Sequence, residues 1–464
     1  MSFWTTQKIA SVLDLPLSYP SREVTQITTD SRQVTAGSVF VAIKGETHDG
    51  HQFIEGAIRS GAVAIISEEK SASTQVDFFQ VPSSLSAIRK LGFHYRKSFS
   101  IPFIAVVGAV GKTTTKELLT SILQGKYNSV AKTLGSQNGY LGIPITLLSL
   151  PPETEVAVIE IGIDEIGAME DHIALVEPTH VILTKIGPEH LHQLKTVEIA
   201  ASEELLVFDY AVQKNVPIGI NLSDDYVNAW FHKNHSHLPD AQFLTYSLEK
   251  SKAPEYLGKY DEDSNELTVQ SETLNASFAL PLPGEHHAHN LLAAITLSQF
   301  FKLSCSEIRT GLSTFKTAFG RTEIHHLENE VEVIGDYYNS NPTSLEAAIN
   351  LLVSKKGKPA YFAVLGDMLE LGDQEEMFHR KIAPLITLKS VTALWLYGPR
   401  MKWLKAELET KGFVNVRHFT SHAELSADLK KSLIHHSRVL IKGSRGMKME
   451  KVLHALMGER VAHP

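Results

Sequence analysis

The sequence predicts an α/β protein of three domains carrying mostly parallel sheets. Three observations lead there. The chain has 464 residues, too many for one hydrophobic core and enough for about three. From Phe103 onward, short β-branched runs alternate with segments of helical spacing, the order expected of a parallel sheet with helices on both faces. One strand-to-helix corner, Ile104-Ala105-Val106-Val107 into Gly108-Ala109-Val110-Gly111-Lys112-Thr113-Thr114, places two glycines and a lysine where a bound anion would need them.

Composition narrows the class. Hydrophobic residues make up 43% and charged residues 21%, as in ordinary soluble globular proteins. A formal charge of −8 gives no electrostatic reason to expect a nucleic-acid partner. No apolar run approaches the ~20 residues that span a bilayer, and the first residues lack a basic start leading into an apolar stretch. Neither a membrane nor a secretion signal is therefore expected. Cys305, the one cysteine, is expected as a small core residue; with no internal disulfide available, a reducing, cytoplasmic compartment is expected. The 22 histidines, including the pairs His286-His287 and His435-His436, are expected to be mostly solvated.

In chain order, residues 1–100 read as a small α/β domain. Gly37 to Gly45 is a strand with turn residues at both ends; Asp49-Gly50-His51 opens a helix ending near Gly61; Ala62 to Ile66 is the next strand. Polar residues gather in the turns 30–32 and 49–51, where a ligand could reach them, although turn chemistry alone also favours Asp, Ser and Gly there. Ser98 to Pro102 marks a boundary, and the central domain runs to 318. Val156 to Gly162 is a buried strand interrupted by Glu160, whose carboxylate calls for a cation or strong donors nearby. Val181 to Gly187 is another, followed by Pro188-Glu189-His190-Leu191 at its carboxyl end, where open α/β sheets bind ligands. Residues 215–280 are an appended, partly β section, and Pro281 to Asn290 leads into an Ala/Leu helix. From 319 to 464 strands at 331–336, 360–368, 393–397 and 439–446 make a second, Rossmann-like sheet without a phosphate loop of its own.

The corner at 108–114 is not the commonest phosphate loop. G-x-x-x-x-G-K-[ST] needs glycine at 106, where Val106 stands; the spacing here is G-x-x-G-K-T-T. Backbone N–H groups of Gly108, Ala109, Val110 and Gly111 would face phosphate oxygens together with the helix N-terminus, and Lys112 would add a mobile positive charge. Thr113, Glu160 and His190 are expected to converge on one metal–phosphate site.

Several loops in order resemble the Mur ligases, the ATP-dependent enzymes that build the peptide of bacterial cell-wall precursors. They are Asp30-Ser31-Arg32, Asp49-Gly50-His51-Gln52-Phe53-Ile54, Gly111-Lys112-Thr113-Thr114, Gly142-Ile143-Pro144-Ile145-Thr146-Leu147-Leu148, Glu160-Ile161-Gly162, Glu189-His190-Leu191 and Lys442-Gly443-Ser444-Arg445. Asp336-Tyr337-Tyr338-Asn339-Ser340-Asn341-Pro342 and Leu365-Gly366-Asp367-Met368-Leu369-Glu370-Leu371-Gly372 resemble the dipeptide-adding branch, and the Asp-Asn-Pro-Arg signature of the branch adding the third residue is absent. The resemblance covers nearly the whole chain.

It implies an ATP- and Mg²⁺-dependent ligase, monomeric, that joins D-alanyl-D-alanine to a UDP-N-acetylmuramoyl-tripeptide through an acyl phosphate. Residues 1–100 would bind the UDP precursor, 101–318 ATP, and 319–464 the incoming dipeptide. Lys112 would stabilise the β/γ-phosphates over the Gly108–Gly111 cradle. Thr113 or Thr114 with Glu160 would hold the first Mg²⁺, and His190 the second. Asn290, Arg321, Asp336 and Asn339 would complete the nucleotide site. Ser31, Arg32, Lys44 and Asn138 would contact the precursor, and Lys442, Ser444 and Arg445 the substrates from the last domain.

Three departures matter. Val107 stands where the family has a small hydroxyl residue, Ala109 where serine is frequent, and Lys185 where asparagine is usual. Most members also carry a carbamylated lysine downstream of the histidine that helps hold the second Mg²⁺. Ungapped alignment from His190 to Phe208 puts Glu204 there, with Glu203 beside it. A carboxylate supplies the oxygen chemistry Mg²⁺ prefers, so Glu204 is expected to replace the carbamate directly or through a metal-bound water; the alternative is a solvated helix carboxylate. Two other readings stay open: a related ligase with a different amino acceptor, and a homologue that binds the precursor without chemistry.

Overall fold

The β-branched and aromatic runs become strands that assemble in three sheets, seen in a computed structural model that describes residues 3–45, 48–69, 76–239, 242–354 and 359–458. The chain divides into two compact units, Met1–Ala105 with Asn128–Ile161 and Ala168–His180, and Val106–Tyr127 with Gly162–Gly167 and Val181–Pro464.

In the first unit, β1 (Gln26–Thr28), β2 (Ser38–Val41), β3 (Ala64–Ser67) and β4 (Asp77–Gln80) form a parallel sheet in chain order. β2 and β3 are buried along their whole length, as parallel strands are, and Phe40, Ile54, Ala57 and Ile65 form the core. The unit also holds the start of β5 (Phe103–Val107), β6 (Val130–Lys132) and β7 (Val156–Glu160). β6 pairs parallel with β7, and Ala157 N–H donates to the Pro102 carbonyl at 3.0 Å.

The expected boundary at residue 100 is not a clean seam, because helix Ser84–Arg96 is tied to later segments. Its Gly92 lies against Pro144, where an added Cβ would stand 3.1 Å from the Pro144 Cα. Tyr95 Oη donates to the Leu150 carbonyl at 2.9 Å, and Arg96 Nε to the Val176 carbonyl at 2.6 Å. These bonds join Asn128–Ile161 and Ala168–His180 to the N-terminal residues.

In the second unit the end of β5 is bonded to residue 184 (Thr184 N to Val107 O, 3.0 Å). β8 (His180–Leu183), β9 (Ile218–Asn221), β10 (Phe243–Ser247) and β11 (Tyr256–Asp261) run parallel, followed by antiparallel β12 (Glu266–Gln270) and β13 (Asn275–Ala279). Residues 215–280, read as an appended section, thus supply β9 to β13, of which β9, β10 and β11 continue the parallel sheet and β12 and β13 add its antiparallel edge.

The third sheet has the order β14 (Glu323–Leu327), β15 (Val331–Asp336), β19 (Ser437–Lys442), β16 (Ala360–Gly366), β17 (Ala393–Tyr397), β18 (Val416–Phe419), with only β14 antiparallel. Alternate residues feed two cores. Leu365, Leu396 and Leu440 pack on one face with Leu345 and Ile349, while Val364, Trp395, Val439 and Ile441 pack on the other. The period of two is that of a sheet covered on both sides.

Helix Lys112–Gln124, which follows the glycine corner, is buried from Thr113 to Leu123. It is clamped against helix Cys305–Leu312, where a Cβ on Gly311 would lie 2.1 Å from the Ser121 carbonyl oxygen. Gly311→Ala is therefore expected to lower unfolding free energy by about 1–3 kcal/mol, measured by urea denaturation. Gly56→Ala, in helix Ile54–Arg59 with nothing within 4 Å of the new methyl, should be neutral or stabilise by about 0.5–1 kcal/mol.

Two expectations are corrected. His286-His287 is not a solvated pair: the rings lie 4.0 Å apart and His287 is buried, as are His172 and His379. Cys305 is half-buried in the first turn of its helix rather than in the core. Among the described residues, no helix is long and apolar enough to cross a membrane.

Candidate active site

The glycine corner owes its spacing to close packing. Gly108 has φ 118° and Gly111 φ 92°, left-handed values that glycine adopts without a Cβ penalty. Space forbids a side chain as well: a Cβ on Gly108 would stand 2.5 Å from Thr184 Oγ1, and one on Gly111 would stand 2.5 Å from Asn290 Oδ1. Thr184 Oγ1 donates to Val110 O at 2.7 Å and lies 3.0 Å from Val107 O.

The donors of the loop are differently engaged than the sequence suggests. Gly108 N–H donates to Glu204 Oε2 at 2.9 Å, while Ala109 and Val110 N–H both point at the Lys185 carbonyl, at 2.8 and 3.3 Å. The cradle expected at 108–111 thus has acceptors of the chain itself on three of its donors. The helix begins at Lys112, so the positive end of its dipole lies at this corner.

Lys112 is the first residue of that helix, and its ammonium donates to the Gly108 carbonyl and to Glu189 Oε2, the latter at 3.2 Å. Glu204 is buried on helix Val197–Lys214, so it is not a solvated helix carboxylate. Burial pushes its pKa up to about 7, against the opposing pull of Lys112. Glu203, its neighbour, instead accepts Gly167 N–H at 3.0 Å. His190 has φ 52° and its Nδ1 lies 2.7 Å from Glu370 Oε2. Burial opposes charge on this ring, but Glu370 and Glu189 outweigh it and hold the pKa above the usual histidine value.

Two cavities flank this cluster. One of about 310 Å³ is lined by Val110, Gly111, Thr114, Lys185, Asn221, Tyr246, His286, Asn290, Arg321, Asp336 and Lys442. Arg321 reaches Thr113 Oγ1 at 3.4 Å and lies over the Tyr338 ring at 4.6 Å; its buried Nε has no partner among the described residues. Lys442 is buried and bonded to Asp336 Oδ2 at 2.5 Å and to the Asn339 carbonyl at 3.0 Å. Its ammonium therefore braces the 336–339 turn from within the cavity wall. The second cavity, about 170 Å³, is lined by Glu189, His190, Asn339, Glu370, Ser444 and Arg445 among others. Asn339 Nδ2 donates to Glu189 Oε1 at 3.4 Å, Ser444 Oγ to Ser340 O at 3.2 Å, and Arg445 to Glu450 at 2.8 Å.

In the first unit, Glu160 is buried at the end of β7 and its Oε1 accepts from Asn138 Nδ2 at 2.8 Å. A cation or strong donors are expected beside this carboxylate; the Asn138 amide supplies one neutral donor. Asp30 caps the short helix Ser31–Gln33 and pairs with the exposed Arg32 at 2.9 Å. Lys44 is exposed and bridges backbone to Asp49.

Family models match the chain in three pieces: "Mur ligase family, catalytic domain" over residues 23–96, "Mur ligase middle domain" over 106–298, and "Mur ligase, glutamate ligase domain" over 320–445. A UDP-N-acetylmuramoyl-tripeptide–D-alanyl-D-alanine ligase of Bacillus subtilis is 30% identical over 460 residues, covering 98% of each chain. The chain belongs to the Mur ligase family. An Escherichia coli ligase of the same name is 28% identical, over 97% of this chain and 98% of its own. Among solved structures, MurF from Acinetobacter baumannii has 25% identity and a TM-score of 0.86, covering 98% of this chain and 99% of its own. MurF from Thermotoga maritima in complex with ADP has 26% identity and a TM-score of 0.79, covering 94% and 97%. The three-domain α/β architecture is that of these proteins.

For this Mur ligase, the fold brings Lys112, His190, Glu204 and Arg321 around one loop, with Asn290, Asp336 and Lys442 on one cavity and Asn339, Ser444 and Arg445 on the other. Sequence reasoning passed over Glu189 and Glu370. Both lie in motifs already singled out, Glu189-His190-Leu191 and Leu365 to Gly372, and their charge was the available signal. The carbonyl of Lys185 carries no sequence signal at all.

Among the described residues, Asp49, His51 and Glu69 are the one set of three His, Cys, Asp or Glu side chains with ligand atoms within 4.8 Å of one another.

Proposed function

We propose that this Mur ligase joins D-alanyl-D-alanine to a UDP-N-acetylmuramoyl-tripeptide at the expense of ATP, releasing ADP and phosphate, in peptidoglycan precursor synthesis. The observation that carries the reading is the Lys112 cluster beside a cavity holding an orphaned arginine donor. Arg321 Nε, buried and unpartnered among the described residues, fits a phosphate oxygen. Glu189 and the buried Glu204 bring two carboxylates close to Lys112, oxygen ligands of the kind Mg²⁺ takes.

Two anions must meet in the first step. A tripeptide carboxylate oxygen attacks the γ-phosphorus, the bond to the β–γ bridging oxygen breaks, and ADP leaves. Lys112 and Arg321 oppose the growing negative charge, and the first turn of helix Lys112–Gln124 directs its N–H groups the same way. The dipeptide amine then attacks the acyl carbon, phosphate leaves with its oxygen, and a proton passes to solvent. Thr113 or Thr114 with Glu160, and His190 with Glu204 either directly or through a water, would hold Mg²⁺, whose charge would screen the repulsion between these groups. Asn290, Asp336 and Asn339 would place the nucleotide over Gly108–Gly111. Ser444 and Arg445 would hold the dipeptide, with Lys442 bracing the turn beside them. Ser31, Arg32, Lys44 and Asn138 would hold the UDP precursor.

In this reading residues 1–100 serve the precursor, 101–318 ATP, and 319–464 the dipeptide, and the enzyme works as a monomer in the cytoplasm, without a nucleic-acid or membrane partner.

Phosphate release is measured with ATP, Mg²⁺ and UDP-muramoyl-tripeptide while each candidate acceptor is supplied in turn. Release with D-alanyl-D-alanine alone is expected. Release with another acceptor would make it a sister activity, and precursor binding without turnover would end the catalytic reading.

A further inference from the structure

We infer that Glu370 is a positioning residue for His190: its carboxylate fixes the imidazole so that Nδ1 carries the proton and Nε2 presents its lone pair to the cavity. The inference rests on the proposal that His190 serves the metal–phosphate site, and adds a residue that proposal does not contain.

Glu370 and His190 are 180 positions apart in sequence, yet Oε2 and Nδ1 lie at 2.7 Å. An ionised carboxylate only accepts hydrogen bonds, so the neutral ring must place its proton on Nδ1. Nε2 then faces Glu189 Oε1, at 4.0 Å, and the cavity that Glu189, His190 and Glu370 line together. A histidine that binds a metal through one nitrogen is commonly oriented through the other in this way.

A contact with 60% of the Glu370 side chain exposed would ordinarily orient little. Here the backbone supplies the rigidity. Both residues are left-handed, His190 at φ 52° and Glu370 at φ 66°, a strained state for side-chain-bearing residues that persists only when surroundings impose it. His192 N–H donates to the Glu370 carbonyl at 3.3 Å. Gly372, at φ 60°, lies so close that a Cβ would be 2.8 Å from the Leu191 carbonyl oxygen. Leu191 itself is buried in the core formed with Leu345, Met368 and Leu371. The loop after β16 and the helix Leu191–Leu194 are thus locked together, and the last domain, through Glu370, sets the ring that the central domain carries.

The test uses the full-length protein and its Glu370→Ala and Glu370→Gln variants. Nitrogen-15 NMR of the His190 ring in the ligand-free protein, at a pH where it is neutral, reports which nitrogen bears the proton. Wild type is expected to show Nδ1–H, and Glu370→Ala to shift to the Nε2–H form that predominates in water. The Mg²⁺ concentration for half-maximal phosphate release should rise about 10-fold or more in Glu370→Ala. Glu370→Gln, whose carbonyl accepts the same proton, should restore the wild-type tautomer and most of the Mg²⁺ response, which a merely structural role would not predict. An unchanged tautomer in Glu370→Ala overturns the inference. His190→Ala with normal Mg²⁺ dependence would overturn the proposal beneath it, and the ring spectrum would still decide Glu370 separately.

Discussion

Replacing Lys112 with methionine should lower phosphate release by roughly 10²–10³-fold or more, with a smaller loss in ATP binding. The ammonium is already placed, held by the Gly108 carbonyl and by Glu189 at 3.2 Å, so it needs little reorganisation when charge builds on the transferring phosphoryl group. Its contribution is greatest when two anions are closest, which is the transition state rather than the nucleotide complex. The loss should therefore fall on kcat more than on the ATP dissociation constant measured by calorimetry. Lys112→Arg should not rescue it, because a planar guanidinium fork does not reproduce a compact point charge on a flexible stem. Turnover within about tenfold of wild type would remove Lys112 from the chemistry.

The second large effect is expected at Glu204, where stability and activity should move in opposite directions. A buried carboxylate with its pKa raised to about 7 binds its proton more tightly when folded than when unfolded. Its destabilising effect is absent below the unfolded value near pH 4.5, grows as pH rises through 7, and is complete above it, on the order of 3 kcal/mol. Glu204→Gln keeps an oxygen to accept the Gly108 N–H and removes the charge. The ligand-free variant should therefore gain stability over wild type at pH 8 and not at pH 4, by urea denaturation. Phosphate release should fall about 100-fold, with a weakened response to Mg²⁺. A variant with unchanged turnover and Mg²⁺ dependence would show that Glu204 does not stand in for the carbamate.

Much of the catalytic side was legible because its chemistry is local. Gly108, Gly111 and Lys112 declare themselves by residue type and spacing, since positive φ, close approach and a mobile cation each admit few side chains. The apolar run Val439-Leu440-Ile441 likewise reads as a strand, and the structure covers it on both faces. The pair His286-His287 was misread because composition does not reveal burial. His287 is buried with Nε2 at 2.9 Å from Thr322 Oγ1, a partner 35 residues away.

By itself the sequence determined the α/β class, the glycine corner between strand and helix, and the Mur ligase membership, because each rests on neighbouring residues or on motifs read in order. Only the tertiary structure decided that Glu204 is buried on Gly108 N–H, that the Lys185 carbonyl takes the Ala109 and Val110 donors, that Lys442 braces Asp336, and that Glu370 meets His190. Each of these pairs side chains or carbonyls that are far apart in the chain. Their partnership comes from packing and desolvation, which have no periodicity to read in advance.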